Sequence, residues 1–147
     1  MAMLSDYCRR IQELLLRYCD SLRVDSGGNL HDEAIAAENV FKEILNATYG
    51  WNLTNANAVD PLTAGYDLID DEEHILVQVS KDDSSEKIRH SFSALDASSF
   101  QGYTFKFMML VPRHRRYSKS FDPPRGIHFD GQEDVLDISS LMNYLHN

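Results

Sequence analysis

The run Tyr103–Val111 sets the strongest limit on the fold, because only Thr104 and Lys106 interrupt its apolar character. Its second half, Phe107-Met108-Met109-Leu110-Val111, puts apolar side chains on both sides of any extended chain. Successive residues of a strand point to opposite faces, so this strand needs cover above and below. Pro112 ends it. A one-sided antiparallel sheet cannot provide such cover; helices on both faces of a mixed sheet can. The 147 residues, 43% of them hydrophobic, suffice for one sizeable core, and the chain reads as a single domain over residues 1–147.

The remaining pattern supplies the other elements. Tyr7, Ile11, Leu14, Leu15, Tyr18 and Leu22 recur at helical spacing, which predicts an amphipathic helix over Ser5–Val24 that leaves through Asp25-Ser26-Gly27-Gly28. A second helix is expected from Asn29–Asp32, carrying Ala34, Ala37, Phe41, Ile44 and Leu45 to a stop at Tyr49-Gly50. Short strands follow at Trp51–Leu53, Gly65–Asp70 and His74–Ser80, the last two joined by the acidic turn Asp71-Glu72-Glu73. Ser84–Leu95 reads as a helix, Arg113–Gly126 as a basic loop, Ile127–Phe129 as a short strand and Ser139–Leu145 as a closing helix capped from Asp137. The expected order is ααβββαββα, an α/β domain with one mixed sheet flanked by helices.

Composition removes several classes. Seven Gly and four Pro do not suit a collagen-like or linker chain. No apolar run approaches the roughly 20 residues of a membrane helix, and the N-terminus lacks a signal-peptide layout, so a cytoplasmic protein with no membrane partner is expected. Cys8 and Cys19 lie about three helical turns apart, too far to bridge, and are expected to be reduced thiols. No phosphate-binding glycine loop, catalytic triad or histidine metal spacing stands out. The formal net charge is −9 but unevenly spread. Gly65–Glu86 balances at −7, whereas Tyr103–His128 balances at +5. An acidic centre beside a basic flank can hold a metal next to a phosphate; two solvated loops of opposite sign are the alternative.

Four positions draw attention within this frame. Glu38 shares an edge of the second helix's apolar face and requires a partner there. Asp67 points away from Leu68 and Asp70, while Gln78 and Ser80 share a face opposite Val77, Val79 and Lys81. If Asp67 and Gln78 are cross-strand neighbours, a hard divalent ion can touch both, because Mg²⁺ and Mn²⁺ favour oxygen ligands. The other reading is structural, with Gln78 bonded to backbone and Asp67 capping a turn. Arg113, Arg115 and Arg116, with Lys119 and Arg125 behind them, are the candidate phosphate contacts.

The run Gly65-Tyr66-Asp67-Leu68-Ile69-Asp70, the acidic turn, Ile75-Leu76-Val77-Gln78-Val79-Ser80 and the preceding Ala37-Glu38 together resemble the core of PD-(D/E)xK nucleases. They are similar to the restriction-endonuclease-like branch in which Gln stands for the second acid. With Ile44-Leu45-Asn46, Tyr49-Gly50 and Lys87-Ile88 added, the chain resembles the SMEK domain, a prokaryotic module often attached to larger proteins, including nucleotide-binding ones, with a role in defence against phage. The resemblance implies a restriction-endonuclease-like fold. It implies Glu38, Asp67 and Gln78 as ligands of Mg²⁺ or Mn²⁺, DNA or RNA as substrate, and an effector or NTPase domain as partner, in an assembly that can be oligomeric.

Nucleases of this fold carry a strand lysine two residues after the acid or Gln, where its ammonium stabilises developing negative charge. Ser80 stands at that position, Lys81 should face the other way, and Lys87 of the following helix is the substitute the resemblance offers. Two functions are therefore expected from different classes. One is a metal-dependent nuclease with Asp67 and Gln78 at its centre, assisted by Lys87 or Lys81. The other is an inactive nuclease-fold domain that serves protein interaction or sensing.

Overall fold

The computed structural model describes residues 9, 13, 30–56, 65–118 and 120–146. The expected first helix lies outside these residues, save Arg9 and Glu13, both helical and exposed, and Cys8 and Cys19 lie outside them too. The described part is a mixed α/β fold with three α-helices and a five-stranded sheet.

Helix α1 (Leu30–Tyr49) ends where the sequence places its stop. Gly50 takes φ 75°, a left-handed conformation that costs glycine little, and its N–H donates to Asn46 O at 2.9 Å. The buried residues Ala37, Phe41, Ile44 and Leu45 recur at three- and four-residue spacing and form the face that α1 turns to the sheet.

The expected strand at Trp51–Leu53 is displaced: β1 is Thr54–Asn55. Side chains take the backbone groups that a ladder would need. Asn46 accepts Leu53 N–H at 2.7 Å and donates its amide to Leu53 O at 3.1 Å, while Asp70 accepts Asn52 N–H at 2.8 Å. Pairing with β2 (Leu68–Asp70) begins only beyond these clasps, in the register Thr54 with Ile69 and Asn55 with Leu68.

β2 and β3 (Ile75–Ser80) form the expected antiparallel hairpin, Leu68 opposite Val77 and Asp70 opposite Ile75. Its turn closes because Asp70 Oδ1 accepts the N–H groups of Glu72 and Glu73 at 2.9 and 3.0 Å. Helix α2 (Ser85–Ala94) carries the chain from β3 to β4 (Thr104–Met109), which lies parallel to β3 in the register Gln78 with Phe107. Ser84 caps α2, its side chain accepting Lys87 N–H at 3.2 Å.

The sheet order β1-β2-β3-β4-β5 puts β3 and β4 in the middle. β4 has the two-sided burial its composition demands. Phe105, Phe107 and Met109 join Leu76, Ile88, Phe92 and Val135 under α2, whereas Met108 and Leu110 join Leu68, Val77 and the α1 residues on the other face.

The expected strand Ile127–Phe129 reduces to a single parallel bridge between Thr104 and His128, and the fifth strand is Val135–Leu136. A turn splits what would be one continuous partner for β4. His128 exchanges bonds with Tyr103 and Phe105, and then Asp130 Oδ1 accepts Gln132 N–H at 2.8 Å and turns the chain out. It re-enters where Phe107 N–H donates to Asp134 O at 2.8 Å, one residue before β5. Helix α3 (Ile138–His146) starts as expected, Asp137 Oδ1 accepting Ser140 N–H at 2.8 Å.

Candidate functional site

Asp67 immediately precedes β2, and the fold sets it beside Gln78. Asp67 N–H donates to Val77 O at 2.8 Å, and its carboxylate Oδ2 accepts Val79 N–H at 2.9 Å. Its backbone and side chain thus grip the residues on either side of Gln78. Asp67 thus runs beside Gln78, the arrangement that the sequence left as a condition. Asp67 also performs a structural task, since its carboxylate satisfies a β3 donor.

Glu38 reaches the same end of the sheet from α1. Its side chain is 8% exposed, and Asn55 Nδ2 donates to Glu38 Oε2 at 3.4 Å and to Asn39 Oδ1 at 3.0 Å. The next residue of the β1 segment, Ala56, donates its N–H to Asp67 O at 2.9 Å. Asn55 therefore links the helix acid to the segment that bonds Asp67. Strand alternation separates the members by face: Val77 and Val79 pack toward α1, so Gln78 lies on the α2 side with Leu76. Among the described residues no three His, Cys, Asp or Glu side chains form a group able to hold a metal ion. Glu38, on the α1 side, and Gln78 therefore do not share a face of the sheet.

The lysine position of the resemblance is closed upon itself. Ser80 is buried, and its hydroxyl donates to Asp82 O and accepts Asp82 N–H, both at 3.0 Å. Lys81 is exposed and Lys87 half-buried. Lys87 contributes to the field at Asp82, whose carboxyl is held below its ordinary range first by hydrogen bonds from Ser84, then by Lys87 and Arg115.

The basic loop is not a free solvated segment. Asp83, just before the α2 cap, accepts Arg115 N–H and Arg115 Nε, each at 2.9 Å, and its carbonyl accepts the Tyr117 hydroxyl at 2.7 Å. Asp137, the α3 cap, accepts His114 N–H at 2.9 Å. Burial, followed by the charge of Asp83, pushes the Tyr117 hydroxyl up to about 12, so it remains a donor through neutral pH. Arg115 is thus engaged with Asp83. Arg113, Arg116 and Arg125 are exposed and form no ion pair among the described residues, and Lys119 lies outside those residues.

Asp83 and Asp137 are the site residues that the sequence hides. Asp137 caps α3 and Asp83 stands just before the α2 cap, places where an aspartate is ordinary, and nothing local shows that a loop 23 or 32 residues away folds onto them.

No helix among the described residues is long and apolar enough to cross a membrane. Neither a curated protein nor a solved structure matches the chain. The SMEK domain, in contrast, matches residues 10–146, which takes in both core faces, the Asp67–Gln78 pair and the basic loop. The chain belongs to the SMEK domain family.

Proposed function

We propose that this domain is a nuclease-like module of restriction-endonuclease-like architecture that acts on DNA or RNA, within a larger prokaryotic defence protein bearing an effector or NTPase partner. The observation that carries the reading is Asp67 gripping both neighbours of Gln78, with Glu38 tied to the adjoining strand through Asn55. The order of helix, three antiparallel strands, helix and parallel strand is compatible with it, being the mixed α/β order that the residue pattern predicts. The Asp67 carboxylate and the Gln78 amide oxygen are the donors suited to Mg²⁺ or Mn²⁺, whereas Glu38, on the α1 side of the sheet, stands across it from Gln78. Such an ion, when bound, supplies Lewis acidity toward a phosphodiester and a more acidic water. The chain's own part is to hold Gln78 between the bond from Asp67 N–H to Val77 O and the bond from Val79 N–H to the Asp67 carboxylate, and to offer Arg113, Arg116 and Arg125 to phosphate.

One observation favours a second reading, an inactive domain used for protein interaction or sensing. The Ser80 hydroxyl is used up on the backbone of Asp82, at the place where a cation would stabilise developing charge. Calorimetric titration of Mn²⁺ into the wild type and Asp67→Asn separates the two. The amide retains an acceptor for Val79 N–H, so the variant tests charge and not the strand contact. Binding to the wild type that disappears in Asp67→Asn is the expected result. An equal response in both proteins, or none in either, removes the metal reading and leaves the second one standing.

A further inference from the structure

Within the basic loop, between residues 114, 116–118, 120 and 121 on one side and 129–132 on the other, opens a cleft of about 1000 Å³. Its aromatic lining is Tyr117, Phe121 and Phe129. These rings are fixed against one another edge to face: Tyr117 to Phe121 at 5.2 Å and 76°, Phe121 to Phe129 at 6.1 Å and 75°. Tyr117 also lies nearly parallel to the His114 ring, at 5.6 Å and 11°. An irregular loop rarely holds an aromatic so firmly. Here the ring is anchored by its hydroxyl on Asp83 and flanked by Arg115 on the same aspartate and His114 on Asp137.

Arg116 is the exception within this segment. Its neighbours are pinned, yet it lines the cleft, is exposed and has no acidic partner among the described residues. Asp130, the acid on the opposite side, has its Oδ1 occupied by the N–H groups of Gln132 and Glu133 at 2.8 and 3.3 Å. The cleft therefore combines a rigid aromatic lining with an unpaired guanidinium, and Gln132 and the backbone-bonded Asp130 also line it. Aromatic faces take up bases without regard to sequence, and a neighbouring arginine takes the phosphate.

We propose that this cleft binds a nucleotide unit, its base against the rings of Tyr117, Phe121 and Phe129 and its phosphate on Arg116. The unit is supplied either by an unpaired strand or by a free nucleotide. The inference rests on the nucleic-acid part of the proposed function and is independent of the metal site. It also narrows the substrate, because a base within a duplex has no exposed face to offer.

Fluorescence anisotropy in EDTA tests it, with a labelled oligo-dT of about 12 nucleotides, a labelled duplex of the same length, and unlabelled TMP as competitor. Arg116→Ala and Phe121→Leu are compared with the wild type, near-wild-type circular dichroism showing that each is folded. The expected result is binding of the single strand in preference to the duplex. Each variant should weaken it about tenfold, the size of a lost base stack or phosphate contact. Displacement by TMP at concentrations similar to those of the oligonucleotide supports the cleft and assigns the free nucleotide as its source. Duplex binding equal to single-strand binding, with Phe121→Leu silent, overturns the inference while the nucleic-acid reading survives. Binding of none of the three overturns both.

Discussion

Asp70 shows how one carboxylate can carry a local fold. It is 1% exposed, and burial alone would raise its pKa. Three backbone N–H groups, from Asn52, Glu73 and Glu72, together with the charge of His74, outweigh that and hold the group below its ordinary value. A folded-state pKa below the unfolded one stabilises the protein above the unfolded value, and the stabilisation is lost as pH falls through the folded value. Asp70→Asn should therefore cost about 1–3 kcal/mol at neutral pH, since the amide loses the charge and one of the two oxygens that accept backbone N–H groups. The deficit should begin to narrow below about pH 4, where the unfolded chain takes up a proton that the folded carboxylate still resists. Urea denaturation of both proteins at pH 7 and pH 3.5 checks this; an unchanged deficit would show that the amide's shape matters and the charge does not. Asp70 is recognisable in the sequence as a turn residue, but its bond to Asn52 is not, because that partner belongs to another strand.

At the scale of elements, the contact between the β2 approach and α2 depends on Gly65. Its φ is 91°, and a Cβ there would stand 2.8 Å from Ser91 O and 3.0 Å from Leu95 N, both backbone atoms of or next to α2. Neither can swing aside like a side chain. Gly65→Ala combines positive-φ strain with that collision and should cost more than about 1 kcal/mol, read as a lower urea midpoint. Ser84→Ala removes the cap of α2 and should cost about 1 kcal/mol by the same measurement. A Gly65→Ala variant as stable as the wild type would mean that α2 is free to shift away from β2. The two positions differ in how the sequence shows them. Ser84 announces a helix start through local hydrogen bonding, whereas the pattern reads Gly65 as the start of the strand Gly65–Asp70, which begins instead at Leu68, and the packing of α2 against Gly65 is tertiary.

For the whole molecule, β4 is the member shared by both cores. Phe107 lies in the α2 core and Met108 in the α1 core, both fully buried. Phe107→Ala should cost about 3–5 kcal/mol and Met108→Ala about 2–5 kcal/mol. Because neighbouring residues of one strand serve opposite faces, either loss should weaken the entire domain. The described fold should melt in a single transition. Trp51 packs against the α1 core and supplies a fluorescence probe of that face, while circular dichroism follows all elements. Coincident midpoints in the wild type and in Phe107→Ala are expected; an earlier dichroism change with Trp51 fluorescence unmoved would divide the molecule into two units.

The sequence by itself determined those features whose cause is local. Periodicity fixed α1 and α2, apolar density placed β4 between two layers, and Asp137 marked the start of α3. It also predicted the hairpin that carries Asp67 and Gln78, but left open whether the two are cross-strand neighbours. Only the tertiary structure decided where β1 and β5 lie, because Asn46 and Asp70 intercept the backbone before β1, and the Asp130 turn divides the partner of β4. It likewise decided that the basic loop is held, through Asp83 and Asp137, in a shape that lines a cleft. Those outcomes depend on hydrogen bonds between residues far apart in the chain, and their geometry exists only after the core has brought the partners within reach.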